Sequence, residues 1–146
     1  MALFRRLSAA LPAIVMLSAC SSPAGPRNAV EVDVAGATFD RVGAPAIATV
    51  PFSVTNRGIS SVFVARCNSR VMAAVDRWDG HSWAQYSSDA CPAIYTTAPM
   101  ELVPGASVAT SRPVLDAGTY RLRIGTAAAA SSEPGWSTVS SQFQVD

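Results

Sequence analysis

Val30, Val32 and Val34 alternate with Glu31 and Asp33 in the stretch VEVDV. That period of two is the mark of a strand with one buried face. AIATVPFSVTNRG continues the pattern with Ile47, Thr49 and Val54 and ends on an Asn-Arg-Gly turn. Pro51 inside it predicts an edge or a bulge, because proline cannot donate to a ladder. SSVFVARC is rich in β-branched and aromatic residues, VMAAVDRWDGHSWAQY reads as a hairpin around Asp79-Gly80, and PMELVPGASVATSRPV is a strand broken by a Pro-Gly turn. GTYRLRIGT alternates again, and STVSSQFQVD closes the chain. The alanine run at 127–130 could make a turn of helix, but SSEPG follows and stops it. About seven short strands with turn signals every 8–12 residues predict an all-β fold, an antiparallel β-sandwich or small barrel.

Composition narrows the setting. At 146 residues the chain holds one domain with a short extension, and its sparse charge and high apolar content predict a packed core. All eleven basic residues are Arg, against ten acidic ones. Removal of Arg5 and Arg6 with a leader would leave nine against ten, close to neutral. No basic run supports binding to nucleic acid.

The N-terminus has the layout of a signal peptide: the basic MALFRR, the apolar LSAALPAIVM, then LSAC closing at Cys20. The apolar run is too short to span a membrane, which takes about 20 residues. Leu17-Ser18-Ala19-Cys20 resembles the lipobox of bacterial lipoproteins. The resemblance implies cleavage before Cys20 and diacylglycerol on its sulfur, usually with an acyl chain on its amine. Several chains together anchor stably, whereas one alone is marginal. Ser21, rather than Asp, resembles lipoproteins sent to an outer membrane, if the cell has one; otherwise the protein would sit on the outer face of the plasma membrane. The expected organisation is a leader over 1–19, the lipidated Cys20 and a polar tether over 20–28, and a β-domain over 29–146.

With Cys20 lipidated, Cys67 and Cys91 are an even pair in an oxidising compartment, which implies a disulfide. A zinc site on Cys67, Cys91 and His81 is the rival; it lacks a C-x-x-C half and a fourth ligand.

LDAGTYRL resembles the tyrosine-corner segment of immunoglobulin domains, with Asp116, Gly118 and Tyr120 matching. The resemblance implies that the Tyr120 hydroxyl bonds a backbone group just upstream and pins the corner before a central strand. Leu122 stands where those domains carry a core cysteine, so a Cys67–Cys91 bridge would be a different one. VPFSVTNRG, WDG, LVPG and LDAGTYRL in that order resemble bacterial Ig-like domains of envelope lipoproteins and, more faintly, intracellular proteinase inhibitors of similar fold. No inhibitory reactive-site residue carries over. The expected architecture is an Ig-like sandwich of about seven strands.

Candidate chemistry is thin. His81 is the only histidine, beside the hairpin tip, and no G-x-S-x-G flags a nucleophile. Asp76, Asp79 and Asp89 are the densest acidic group, but a calcium loop needs more oxygen ligands in sequence. A turn Asp has its own backbone reason to be there. No cofactor or resident metal is expected.

The aromatic hairpin depends on register. A two-residue loop pairs Trp78 with His81 and Asp76 with Trp83, placing Trp78, His81, Trp83, Met72 and Asp76 on an outer face opposite Val71, Val75, Ala84 and Tyr86. A three-residue loop pairs Val75 with Trp83 and moves Trp83 to the core. In the first case Trp78, Trp83, His81 and Asp76 form a candidate surface for glycan or peptide stacking; core packing, cross-strand stabilisation and an oligomer contact are the alternatives. The leading expectation is a lipid-anchored, non-catalytic envelope protein that binds an envelope protein or a glycan. A secreted inhibitor-like domain and a hydrolase are the other readings.

Overall fold

The computed structural model describes residues 29–95, 97–130 and 134–146. The leader, Cys20 and tether inferred from the sequence lie outside the described residues. Among these residues thirteen strands run β1 (Val30–Val34), β2 (Thr38–Phe39), β3 (Ala48–Asn56), β4 (Val62–Val64), β5 (Arg66–Cys67), β6 (Arg70–Val71) and β7 (Ala74–Trp78). They continue as β8 (Trp83–Ser87), β9 (Met100–Leu102), β10 (Ser107–Val114), β11 (Gly118–Ala127), β12 (Trp136–Val139) and β13 (Phe143–Val145). No helix forms among the described residues, and Ala128–Ala130 make an exposed bend and turn.

The strands build an all-β sandwich. One sheet has three strands in the order β1–β3–β10, all antiparallel. The other is organised on β11, whose ten residues pair with β7 and then β4 along one edge, and with β13 and then β12 along the other. The β7–β8 hairpin extends this sheet, β2 adds to β13 in parallel, and β9 adds to β4. The three-stranded sheet opposite β13–β11–β7–β8 is the A-B-E against G-F-C-C′ layout of Ig-like sandwiches.

Alternation explains which face is buried. Along β11, Tyr120, Leu122, Ile124 and Thr126 point inward, while Arg121, Arg123 and Gly125 occupy the other face. Along β3, Ala48, Val50, Phe52 and Val54 do the same from the facing sheet. These side chains, with Val30, Val32, Val75, Val114, Phe143 and Val145, form one continuous core. Leu122 is completely buried in it, filling the place of the cysteine that Ig domains carry there.

Two details differ from the sequence pattern. Pro51 sits in the central strand of its sheet, at the point where the β1 ladder ends, and its carbonyl accepts from Ala35 N–H. The closing segment is two strands because Ser140 replaces the ladder between them. The Leu122 N–H donates to Ser140 Oγ at 3.0 Å, and Ser140 N–H donates to Leu122 O at 2.9 Å.

Candidate functional site

The β7–β8 hairpin adopts neither of the two registers expected from sequence. Trp78 pairs directly with Trp83, Arg77 with Ala84 and Asp76 with Gln85, leaving the four residues Asp79–Ser82 as the loop. The cause is the Asp79 side chain. Its Oδ1 accepts from His81 N–H at 2.8 Å and Ser82 N–H at 2.7 Å, and the Ser82 hydroxyl donates to Oδ2 at 3.1 Å. Those bonds, together with Gly80 at φ 102°, favour a wider turn than an Asp-Gly pair makes alone. They also hold the Asp79 carboxyl below its ordinary range, the Ser82 N–H contributing most and the His81 N–H next.

A second irregularity follows further along the pair. A bulge between Val75 and Asp76 sets Val75 opposite Ser87, so Tyr86 is the extra residue on its strand. Tyr86 turns inward against Tyr120, ring centroids 5.3 Å apart, and Val75 enters the core. Trp78 opposes Trp83 and Asp76 opposes Gln85, so these four share the outer face. His81 does not join them. It lies exposed in the loop, displaced from the strand by the four-residue turn.

On this face the two indoles meet at 5.4 Å between centroids, tilted by 55°. Trp78 is 39% exposed and Trp83 is half-buried. The guanidinium of Arg121, on the neighbouring β11, lies 4.6 Å from the Trp83 ring centroid. Its Nε donates to Asp76 at 3.2 Å, and Arg123 donates to the same carboxylate from Nη2 at 3.1 Å and to Gln85 Oε1 at 2.9 Å. Asp76 is only 3% exposed. One buried carboxylate thus aligns two arginines, and one of those arginines covers a tryptophan. Arg121, Arg123 and Gln85 belong to no motif in the sequence, although Arg-Leu-Arg following Tyr120 places both arginines on the face opposite the core.

Arg123 also borders an open groove of about 630 Å3 floored by Gly125. Met72 and Ala74 form one wall, Pro134 and Trp136 the other. A Cβ at Gly125 would meet Pro134 Cβ at 3.0 Å, so a side chain there would crowd the groove.

The remaining candidates lie elsewhere. The Tyr120 hydroxyl donates to Asp116 O at 2.9 Å, and the Tyr86 hydroxyl donates to Asp116 Oδ2 at 2.8 Å. Burial raises both phenol pKa values. Gly118 has φ 153°, and a Cβ there would meet Arg77 Nε at 2.9 Å. Arg77 lies over both tyrosine rings and donates to Ala117 O at 2.8 Å. Cys67 and Cys91 form a disulfide, tying β5 to the segment after β8 and leaving no thiolate for zinc.

The three aspartates have separate partners: Asp76 the two arginines, Asp79 its own loop, Asp89 the Ala73 N–H, Arg70 and Arg112. Among the described residues no three His, Cys, Asp or Glu side chains come together as a metal set. The hairpin loop holds Asp79, His81 and Ser82, but the carboxylate contacts the serine hydroxyl directly, without an imidazole between them as a nucleophile–base relay needs.

No protein-family model matches the chain, and no curated protein matches it. Among solved structures, a crystal structure of beta-glucosidase from Kluyveromyces marxianus in complex with glucose is similar at 11% identity, with a TM-score of 0.33. The match covers 80% of this chain and 14% of that one. A likeness of that degree bears on neither ancestry nor activity.

Proposed function

We propose that this chain is a lipid-anchored envelope lipoprotein whose Ig-like sandwich is a non-catalytic recognition module. Its binding surface is the outer face carrying Trp78 and Trp83, and its ligand an envelope protein or a glycan. The observation that carries this reading is the Trp78–Trp83 pair, accessible to solvent and held in place by Arg121, Arg123 and the buried Asp76. A surface aromatic fixed by such neighbours loses little freedom on binding, which favours recognition. The N-terminal residue of the domain, Ala29, lies at the opposite end of the sandwich from the 79–82 loop. A tether there would leave the aromatic face free.

Two experiments test the two halves. Cys20→Ser should abolish acyl labelling and release the protein from membranes; persistent labelling would refute lipidation at that residue. Trp78→Ala combined with Trp83→Ala should remove capture of envelope proteins or glycans by a folded domain, with the disulfide still formed. Unchanged capture would exclude this face. Hydrolysis of an ester, peptide or glycoside that disappears in His81→Ala would replace the recognition reading altogether.

A further inference from the structure

Among the described residues the two ends of the sandwich differ in charge. At the end beyond Asp79–Ser82 lie Asp40, Arg41, Asp79, His81, Asp116 and the C-terminal Asp146. At the other end the described loops are 57–61, 103–106 and 128–130, reading RGISS, VPGA and AAA, and Arg57 is their one charged residue. Glu31, which pairs with Arg57, and Glu101 lie back on β1 and β9. This end also exposes Ile59 at 97% and Val103 at 51%.

The exposed apolar residues are held in position. Asn56 is wholly buried, and its Nδ2 donates to Ser60 O and Leu102 O at 2.8 Å each. Its Oδ1 accepts from Gly58 N–H at 2.9 Å, and its backbone carbonyl from Gly105 N–H at 2.8 Å. One asparagine therefore fixes both loops, with Ile59 exposed on one and Val103 on the other. The Arg57 N–H donates to Ala29 O, so the start of the domain is bound into the same end.

We propose that this end of the sandwich, led by Ile59 and Val103, seats on the lipid surface to which the protein is anchored. The inference rests on the reading of Cys20 as the acylated residue. Ala29 follows Cys20 by nine residues, a span of at most about 30 Å when fully extended. The end bearing Ala29 is thereby confined near the bilayer. The charged end lies a further length of β3 away, about 27 Å for its nine residues. Exposed apolar side chains such as Ile59 and Val103 suit the headgroup boundary. Val42, 71% exposed at the charged end, has the apolar character without that setting.

The test uses the full acylated protein reconstituted in vesicles of phosphatidylethanolamine and phosphatidylglycerol. With Cys20 acylated and Cys67 bonded to Cys91, Ile59→Cys supplies the single free thiol for an environment-sensitive dye. Val103→Cys is the second probe and Val42→Cys the control at the far end. The expected result is loss of iodide quenching and gain of quenching by nitroxide lipids at 59 and 103, with iodide quenching retained at 42. Protein that co-floats with vesicles while all three dyes stay equally open to iodide would overturn the seating and leave the anchor intact. Protein that fails to co-float, as Cys20→Ser should, would overturn both.

Discussion

Arg112, on β10 of the three-stranded sheet, forms an ion pair with Asp89 in the segment that leaves the opposite sheet after β8. Both side chains are nearly withdrawn from water, at 9% and 3% exposed. Asp89 also accepts from Ala73 N–H at 2.9 Å, and Arg112 donates to Ser87 Oγ at 3.3 Å. The pair joins the two layers along an edge that no continuous ladder closes.

Asp89→Ala should therefore be costly. It leaves the Arg112 charge buried without its carboxylate and the Ala73 N–H without an acceptor, a combination that costs about 3–5 kcal/mol. Burial already pushes the Arg112 guanidinium below its ordinary pKa, with Arg70 adding to the effect. Replacing both partners, Asp89→Leu with Arg112→Met, should recover part of the loss, because no orphaned charge remains. Urea unfolding checks both; a single variant within 1 kcal/mol of the parent would deny the pair its role.

The disulfide lies beside that pair. Cys67 and Cys91 are 24 residues apart, with Cα atoms 5.5 Å from each other. Closing a loop of that length stabilises by about 3.5 kcal/mol in the chain-entropy account. Replacing both cysteines by Ala should lower the unfolding free energy by about 2–4 kcal/mol. A loss well under 1 kcal/mol would mean that Asp89, Arg70 and Arg112 already fix this segment without covalent help.

Tyr120→Phe isolates the corner. The ring would stay against Tyr86 and Phe143, while the bond to Asp116 O would go. One hydrogen bond with its acceptor left partly exposed predicts a loss of about 1 kcal/mol in chemical denaturation. No measurable change would show that the corner is held by Arg77 and Tyr86 instead.

Alternation in VEVDV and YRLRI identified the buried faces because side chains on a strand must alternate, and Asp-x-Gly-x-Tyr marked a corner whose geometry is local. The hairpin register was a harder problem. It depends on Asp79 collecting three bonds within its own loop and on a bulge at Val75, each shifting the pairing without changing residue types. Asp76 stands out in the sequence, but its partners Arg121 and Arg123 are 45 and 47 positions away. Only the β7–β11 ladder brings them together.

Asp79 makes the hairpin tip pH-dependent in a defined direction. Its carboxyl is held below the ordinary value of 3.8, so the bonds it forms favour the ordered loop above that value. They are lost as pH falls below it and through the lower pKa of the folded loop. Backbone amide shifts of His81 and Ser82 should titrate together in that acidic window and stop doing so in Asp79→Asn. Amides that do not titrate in that window, or that still do so in Asp79→Asn, would exclude Asp79 as the group that orders the loop.

The outer face can be separated into support and contact. Asp76→Ala would remove the acceptor shared by Arg121 and Arg123 and leave two cations adjacent; charged hydrogen bonds of this kind contribute about 1.5–3 kcal/mol. With Arg121 released from its carboxylate, its stacking over Trp83 should loosen and tryptophan emission should change. Trp78→Ala, by contrast, removes a partly exposed ring whose pairing with Trp83 is worth about 0.5–1.5 kcal/mol. If the aromatic pair is a contact surface, Trp78→Ala should abolish ligand capture at a stability cost smaller than that of Asp76→Ala. If Trp78→Ala instead destabilises the fold as much as Asp76→Ala, the pair is a strand clamp, and recognition must be sought along the neighbouring Gly125 groove.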